Sequence, residues 1–529
     1  MNAEIRRTSR FRLRRGKTAS PAGAPFYAAV ALIAVLALGL RLYGAGAESY
    51  WVDEAFSVIH IREGLGRIFA AGFSYETNPP LYYTLLWAWV AVFGDGEFAT
   101  RSLSAIFGAL TVPVIAATGR VLAGARAGCL AALLFALSVI EIEHGHETRQ
   151  YALMALALSI ALLGMAKALA ERREDGAPPY GACAVFAGGI ALAVYSHDVA
   201  VVYWFAMNLC LLVYLFASGH EKSDLPKAGR FLRSWAVCNL AALLLSSPQL
   251  YAIFVMREAP GVAWIPPIPA AWWIALWSFL RITLFSVLPW DGPITHIGLV
   301  AALAALGWAA IANRNHRLVL VLGLLLPFAT LAVFMLISVF RPIMLARTLL
   351  WVPVPLYLLI GCAAQRIERA AWQGAAFFLA AGFQVAAIAA NWTYFVKENW
   401  RGPVRLVADS AGPSDVIAFL GDGSAIPEFI YYWPGGFDAA RCRVISDAVE
   451  SQPSAGVRSA PLACPVASLE ALLRDEVRQG RPAWFIARAA NAPVLIQLGK
   501  YLYGSFALKG WEWASTRDTI MIVRVAAPN

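Results

Sequence analysis

The feature that most limits what this 529-residue chain can become is its set of long runs without charge. Residues 235–256 contain no Asp, Glu, Lys, Arg or His. A bilayer's hydrocarbon core is about 30 Å thick and takes about 20 apolar residues to cross as a helix. Composition agrees: 60% of residues are hydrophobic and 14% charged, whereas soluble domains carry about 25% charged residues. A water-soluble globular enzyme and a disordered chain are both excluded. The chain reads as a polytopic α-helical membrane protein.

Eleven segments read as spans, at about 26–46, 101–122, 127–140, 150–169, 181–196, 199–217, 235–256, 296–313, 318–339, 346–363 and 374–394. Two further apolar stretches are demoted. Residues 80–93 are short for a span and rich in Tyr and Trp, which suits an interfacial or re-entrant helix. Residues 270–290 carry Arg281 at their middle and four tryptophans, and read as lying along the outer surface. With this assignment Lys and Arg concentrate on one side, as the positive-inside rule requires. The N-terminus is then cytoplasmic and the C-terminus extracytoplasmic, in a multi-pass protein of the bacterial inner membrane.

Net charge is +10, and much of it lies in the first residues, where Arg6, Arg7, Arg10, Arg12, Arg14, Arg15 and Lys17 face only Glu4. In front of a hydrophobic helix such a run is a cytoplasmic anchor in contact with membrane lipids, and no nucleic-acid partner is expected. Three parts follow: a basic tail at 1–25, a transmembrane catalytic part at 26–394 with its first outer loop at 47–100, and an extracytoplasmic α/β domain at 395–529. In that last part charge is denser, and β-like runs at 416–420, 429–433, 484–487 and 519–525 alternate with helical stretches such as 469–478. Cys129, Cys183, Cys210, Cys238 and Cys362 lie in apolar runs and read as small core residues. Cys442 and Cys464 can pair if their domain is extracytoplasmic.

Transporters place ionisable groups at mid-membrane, but the centres of these spans hold none. Titratable side chains gather in the outer loops, which favours chemistry at the membrane–water boundary. The first loop opens with Trp51-Val52-Asp53-Glu54 and closes with Asn78-Pro79-Pro80; residues 55–71 between them read as one amphipathic surface helix. One of the paired carboxylates suits a general base, and its neighbour suits orienting it or binding a cation. The second loop, Glu141 to Tyr151, packs Glu143, His144, His146, Glu147 and Arg149 into a few residues. Glu143, His144 and His146 are weak candidate ligands for a divalent metal, the one cofactor the loop's donors suggest, although their spacing is not that of a structural zinc site. Arg149 at the outer edge suits a pair of phosphate oxygens. His197 lies in a tight outer turn, and Arg341 and Arg347 flank another.

In order, Trp51-x-Asp53-Glu54, Asn78-Pro79-Pro80-Leu81-Tyr82-Tyr83, Glu97-x-x-x-Arg101-x-x-Ser104-x-x-x-Gly108, Glu147-x-Arg149-x-Tyr151, His197 and Arg347 resemble glycosyltransferase family 39 of the GT-C superfamily. That group includes protein O-mannosyltransferases and the lipid A aminoarabinose transferase. A fainter likeness to bacterial members continues through 397–401. The resemblance implies transfer of a sugar from a polyprenyl-phosphate donor to a lipid, glycan or protein acceptor at the outer face, with inversion at the anomeric carbon. It assigns Asp53 as general base beside Glu54, and Asn78, Glu147, Arg149, Tyr151, His197 and Arg347 as substrate-binding residues. The sequence departs from the family at Asn78, where members usually carry His or Lys. Two rivals are a lipid-diphosphate-dependent polymerase or ligase of the same superfamily and a non-enzymatic lipid or polysaccharide transporter.

Overall fold

The computed structural model describes residues 23–74, 78–217, 225–256, 293–367, 381–382, 384–389, 391–392, 397–420, 425–445, 464–488, 507–514 and 519–526, with isolated positions between 265 and 277. The basic tail, most of 270–290, most of the proposed span at 374–394 and the turn at 421–424 lie outside the described residues.

Helices α1 (Ala24–Leu42), α5 (Glu97–Ala123), α8 (Tyr151–Ala170), α9 (Tyr180–Ser196), α10 (Ala200–Ala217) and α11 (Leu225–Tyr251) follow the charge-free runs, since an isolated apolar helix satisfies all its own backbone groups in lipid. Between α1 and α5 lie α2 (Val52–Arg62), α3 (Leu65–Ser74) and α4 (Pro80–Phe93), and α6 (Ala125–Leu137) meets α7 (Val139–Gly145) at a 61° bend. Later come α12 (Pro293–Ala312), α13 (317–340, with a π-helical stretch at Val321–Leu325) and α14 (Pro353–Ala364). Many side chains on the outer faces are large, apolar and exposed, among them Leu32, Val35, Leu244, Val339 and Phe340. Helices apolar all round belong in a membrane.

Among the described residues, five helices are long and apolar enough to cross a membrane, or six if the bent α6–α7 pair counts as one span. Four others expected as spans are represented by shorter apolar stretches, Tyr180–Ser196, Ala200–Phe216, Leu299–Ala312 and Pro353–Ala364. The expected start at residue 346 moves to Pro353, because Ala346–Leu349 forms a 3-10 turn held by Thr348 Oγ1, which accepts from the Leu345 N–H at 3.1 Å. The single surface helix expected at 55–71 is two helices. Gly64, at φ +87°, ends the first, and most of α2 is buried.

Small residues set how closely these helices pack, as is usual where lipid supplies no hydrophobic drive between them. A Cβ added to Gly128 on α6 would come within 2.1 Å of the Ala116 carbonyl oxygen on α5, and one on Gly164 of α8 within 2.4 Å of the Phe186 nitrogen on α9. Cys183 and Cys238, expected as separate core residues, form a disulfide joining α9 to α11.

The C-terminal part is a six-stranded sheet in the order β3-β2-β1-β4-β6-β5. Strands β1 (Val416–Leu420), β2 (Cys442–Ile445), β3 (Val466–Ala467) and β4 (Ala483–Arg488) run parallel; β5 (Ala507–Ala514) and β6 (Thr519–Ala526) complete the other edge antiparallel. Because side chains alternate along a strand, Ile417 and Phe419 of β1 pack with Trp400, Val404 and Phe429, while Ala418 and Leu420 pack with Leu472 and Leu473. Helices α15 (Arg401–Ser410) and α16 (Ile426–Tyr432) supply the first group, and α17 (Leu469–Asp475) supplies the second. The run at 429–433 is therefore helical rather than a strand: Pro427 stands in the first turn of α16, and its tyrosines turn toward the first loop. Cys442 and Cys464 form a disulfide.

Gly128→Val should lower the thermal midpoint in detergent, on the scale of overpacking, about 1–3 kcal/mol or more. Gly181→Ala, where nothing lies within 4 Å of the new carbon, should leave it unchanged or slightly raised. Equal midpoints for the two variants would contradict the close α5–α6 packing.

Candidate active site

One face of α5 organises the first loop. Glu97, Arg101, Ser104 and Gly108 are spaced by four, three and four residues, which puts them in one stripe along a helix. Arg101 is fully buried and forks onto Glu54, with Nε to Oε1 at 2.8 Å and Nη2 to Oε2 at 2.7 Å. Its remaining protons go to the carbonyls of Ala45, Glu48 and Ser49. Ser104 Oγ sits 2.8 Å from Tyr82 Oη and donates to the Arg149 carbonyl at 3.1 Å. Gly108 leaves room for the buried Arg41 side chain, whose Nε would lie 2.5 Å from a Cβ there.

Asp53 and Glu54 occupy the first turn of α2, where the helix dipole favours negative charge. Neighbouring residues on a helix diverge by about 100°, and the two carboxylates have different surroundings. Glu54 is wholly buried against Arg101, Lys397 Nζ at 3.2 Å and the Thr148 N–H at 2.8 Å. Burial alone would raise its pKa; the charges of Arg101 and Lys397 and these hydrogen bonds outweigh that and hold it at about 2. Such a carboxylate is a poor proton acceptor at neutral pH. Of the two carboxylates, Glu54 is the one that binds cations and holds loops together.

Asp53 faces the other way, and its side chain is 25% exposed. Its Oδ2 lies 3.2 Å from Arg347 Nη1 and 3.8 Å from Arg149 Nη2. Arg149 is steered by α2, donating through Nη1 to Ser57 Oγ at 3.0 Å and to the Asp53 carbonyl at 3.2 Å, with Tyr83 Oη at 3.4 Å. The Arg347 guanidinium stands over the Trp51 ring, 5.4 Å from its centre, a contact that orients a planar cation. Tyr151 lies at the centre of the second-loop groups, its ring 5.4 Å from that of His144 and 5.7 Å from that of His197. His197 Nδ1 accepts from the Val199 N–H at 3.3 Å. Glu147 binds His144 Nδ1 at 3.1 Å; burial would raise its pKa, but the His144 contact reverses this and lowers it.

Asn78 is buried. Its amide oxygen accepts from Gln150 Nε2, and its amide nitrogen reaches Tyr83 Oη at 3.5 Å. It thus joins the neutral rim of the Arg149 site. Glu143, His144 and His146 are the weak candidates for a metal, and the structure does not bring them together as a site. They sit one and two residues apart around the end of α7, where side chains fan out, and His144 is engaged with Glu147. Among the described residues no group of three His, Cys, Asp or Glu is placed to hold a metal.

Asp53, Arg149 and Arg347 thus come together from three separate parts of the chain, with Tyr151, His197, Glu147 and Asn78 around them. Trp51, Tyr83 and Lys397 entered the sequence analysis only as positions in motifs and in the family resemblance, with no contact assigned, and Ser57 and Gln150 had no role there. Ser57 nonetheless lies one helical turn after Asp53, which puts it on the same face of α2. A partly exposed carboxylate at the end of a membrane helix bundle can take a proton, and the two cations beside it can bind an oxyanion.

The model of the dolichyl-phosphate-mannose-protein mannosyltransferase family matches residues 77–252. No curated protein sequence matches the chain at a significant level. Among solved structures, ArnT from Cupriavidus metallidurans in the apo state is 16% identical, with a TM-score of 0.61 over 96% of this chain and 100% of that one. The same enzyme bound to undecaprenyl phosphate aligns with a TM-score of 0.58 at the same identity and coverage. An Archaeoglobus fulgidus oligosaccharyltransferase tethered to an acceptor peptide is 11% identical, with a TM-score of 0.52 over 95% of this chain and 74% of that one. The chain therefore shares its fold with ArnT and with the oligosaccharyltransferase, and residues 77–252 carry the pattern of the dolichyl-phosphate-mannose-protein mannosyltransferase family.

Proposed function

We propose that this protein is a membrane glycosyltransferase that moves a sugar from a polyprenyl-phosphate donor to an acceptor hydroxyl at the outer face, with inversion. The observation that carries this reading is the partly exposed Asp53 carboxylate set against Arg149 and Arg347. A solved structure of the same fold contains undecaprenyl phosphate, which supports a lipid-phosphate donor. The charge-free span centres argue against a transport route.

In this reading the Asp53–Arg347 pair is the resting state. The donor phosphate takes up the two guanidiniums and releases the carboxylate to face the acceptor. Asp53 accepts the hydroxyl proton, the acceptor oxygen attacks the anomeric carbon, and the bond to the phosphate oxygen breaks on the opposite face. The electron pair leaves with polyprenyl phosphate, and the arginines stabilise the charge that grows there, so their contacts strengthen in the transition state. Asn78 adds no charge where family members carry His or Lys, which leaves phosphate binding to the arginines. The positive-inside charge bias supports a cytoplasmic N-terminus and a C-terminal unit on the outer side of a bacterial inner membrane.

With a panel of polyprenyl-phosphate sugars supplied to membranes, Asp53→Asn should reduce transfer by about 10²–10⁴-fold, the scale of general base catalysis, with the protein still inserted and folded. Full activity of that variant would remove Asp53 from the role. Arg347→Ala should raise the donor KM about tenfold or more, as loss of a charge-assisted hydrogen bond implies. An unchanged dependence on donor concentration would refute the phosphate assignment. Transfer from lipid-diphosphate sugars alone would favour the polymerase or ligase reading.

A further inference from the structure

The segment linking the membrane helices to the C-terminal sheet docks on the first loop through a dense set of polar contacts. Lys397 Nζ reaches Glu54 Oε2 at 3.2 Å, and its backbone N–H reaches Glu48 Oε1 at 3.4 Å. Ser49 Oγ donates to the Glu398 carbonyl and accepts from the Trp400 N–H at 3.0 Å. Arg401 binds Glu97 Oε1 at 2.6 Å and the carbonyls of Gly46, Ala47 and Glu48. From α16, Tyr432 Oη accepts from the Tyr50 N–H and donates to Glu97 Oε1, both at 2.7 Å. Asp53 is thus gripped on both sides along the chain, at Tyr50 before it and at Glu54 after it, by residues that belong to the C-terminal part.

We propose that the C-terminal unit positions the catalytic carboxylate, and that Lys397 is the positioning residue, acting on Asp53 through Glu54. This deepens, and rests on, the reading of Asp53 as the base. Charge explains why the lysine is suited to the task. Arg101 already neutralises Glu54, so the ammonium is a second cation on one buried carboxylate. Removing it leaves the Arg101–Glu54 pair intact and the loop foldable, while removing Glu54 would strand two buried cations. Lys397 therefore fixes where Glu54 sits more than whether the loop folds. The helix start that carries Glu54 carries Asp53 with it, and a displacement of about 1 Å at a reacting group can cost on the order of 10²-fold in rate.

The test uses full-length protein and the variants Lys397→Met, Lys397→Arg and Tyr432→Phe. Amide hydrogen exchange across 50–60 should rise several-fold in Lys397→Met and Tyr432→Phe, stay near wild type in Lys397→Arg, and not change in α8. With a polyprenyl-phosphate sugar that wild type uses, Lys397→Met should lower kcat at least tenfold and leave the donor KM within about twofold. Undecaprenyl phosphate should bind wild type and Lys397→Met equally. Unchanged exchange at 50–60, or a wild-type kcat in Lys397→Met, would overturn the positioning role. Wild type that uses no polyprenyl-phosphate sugar would overturn the proposed function instead, and the exchange data would still decide whether the C-terminal unit holds the loop.

Discussion

The buried Arg101–Glu54 pair is the interaction on which the rest of the outer face depends. Taking either charge out of water alone costs several kcal/mol, and such a pair is tolerable only with good geometry and every remaining proton satisfied. Here the fork is bidentate, and three loop carbonyls with one backbone N–H complete it. Removing one partner would leave an uncompensated charge, at about 3–5 kcal/mol. The pair therefore ties one face of α2 to the bundle, and with Lys397 as the second cation on Glu54 the adjacent face is set to present Asp53.

The same economy of position appears along α5. One helical stripe binds the C-terminal unit through Glu97, the first loop through Arg101, the second loop through Ser104 and α1 through the space at Gly108. A motif that looks degenerate residue by residue becomes coherent once each position is seen to dock a different neighbour. Arg149 repeats the pattern on a smaller scale, with its guanidinium aimed by Ser57 and Tyr83 before any substrate arrives.

Much of the helical part was legible because lipid leaves few choices. Charge-free runs had to become helices, and α8, α9 and α10 lie within a residue or so of where those runs placed them. The errors have local causes. Gly64 divides what reads as one amphipathic helix, and Pro353 with the turn before it delays α14. The aromatic run at 429–433 has strong strand propensity, but its tyrosines are needed on the first loop, and tertiary contacts override propensity. At the site, Asp53, Arg149 and Arg347 could be named from residue type and position at the outer ends of helices. That Glu54 faces Arg101 rather than the side that Asp53 faces, and that Lys397 reaches back to it, are long-range pairings that no local pattern encodes. Glu143, His144 and His146 show the converse, since closeness in sequence around a helix end is not convergence in space.

The most direct measurement is a density map of the protein with undecaprenyl phosphate bound. The account predicts the phosphate between the Arg149 and Arg347 guanidiniums, with the Asp53 carboxylate released from Arg347 and facing the open side. A phosphate bound elsewhere, with the Asp53–Arg347 pair still closed, would contradict it.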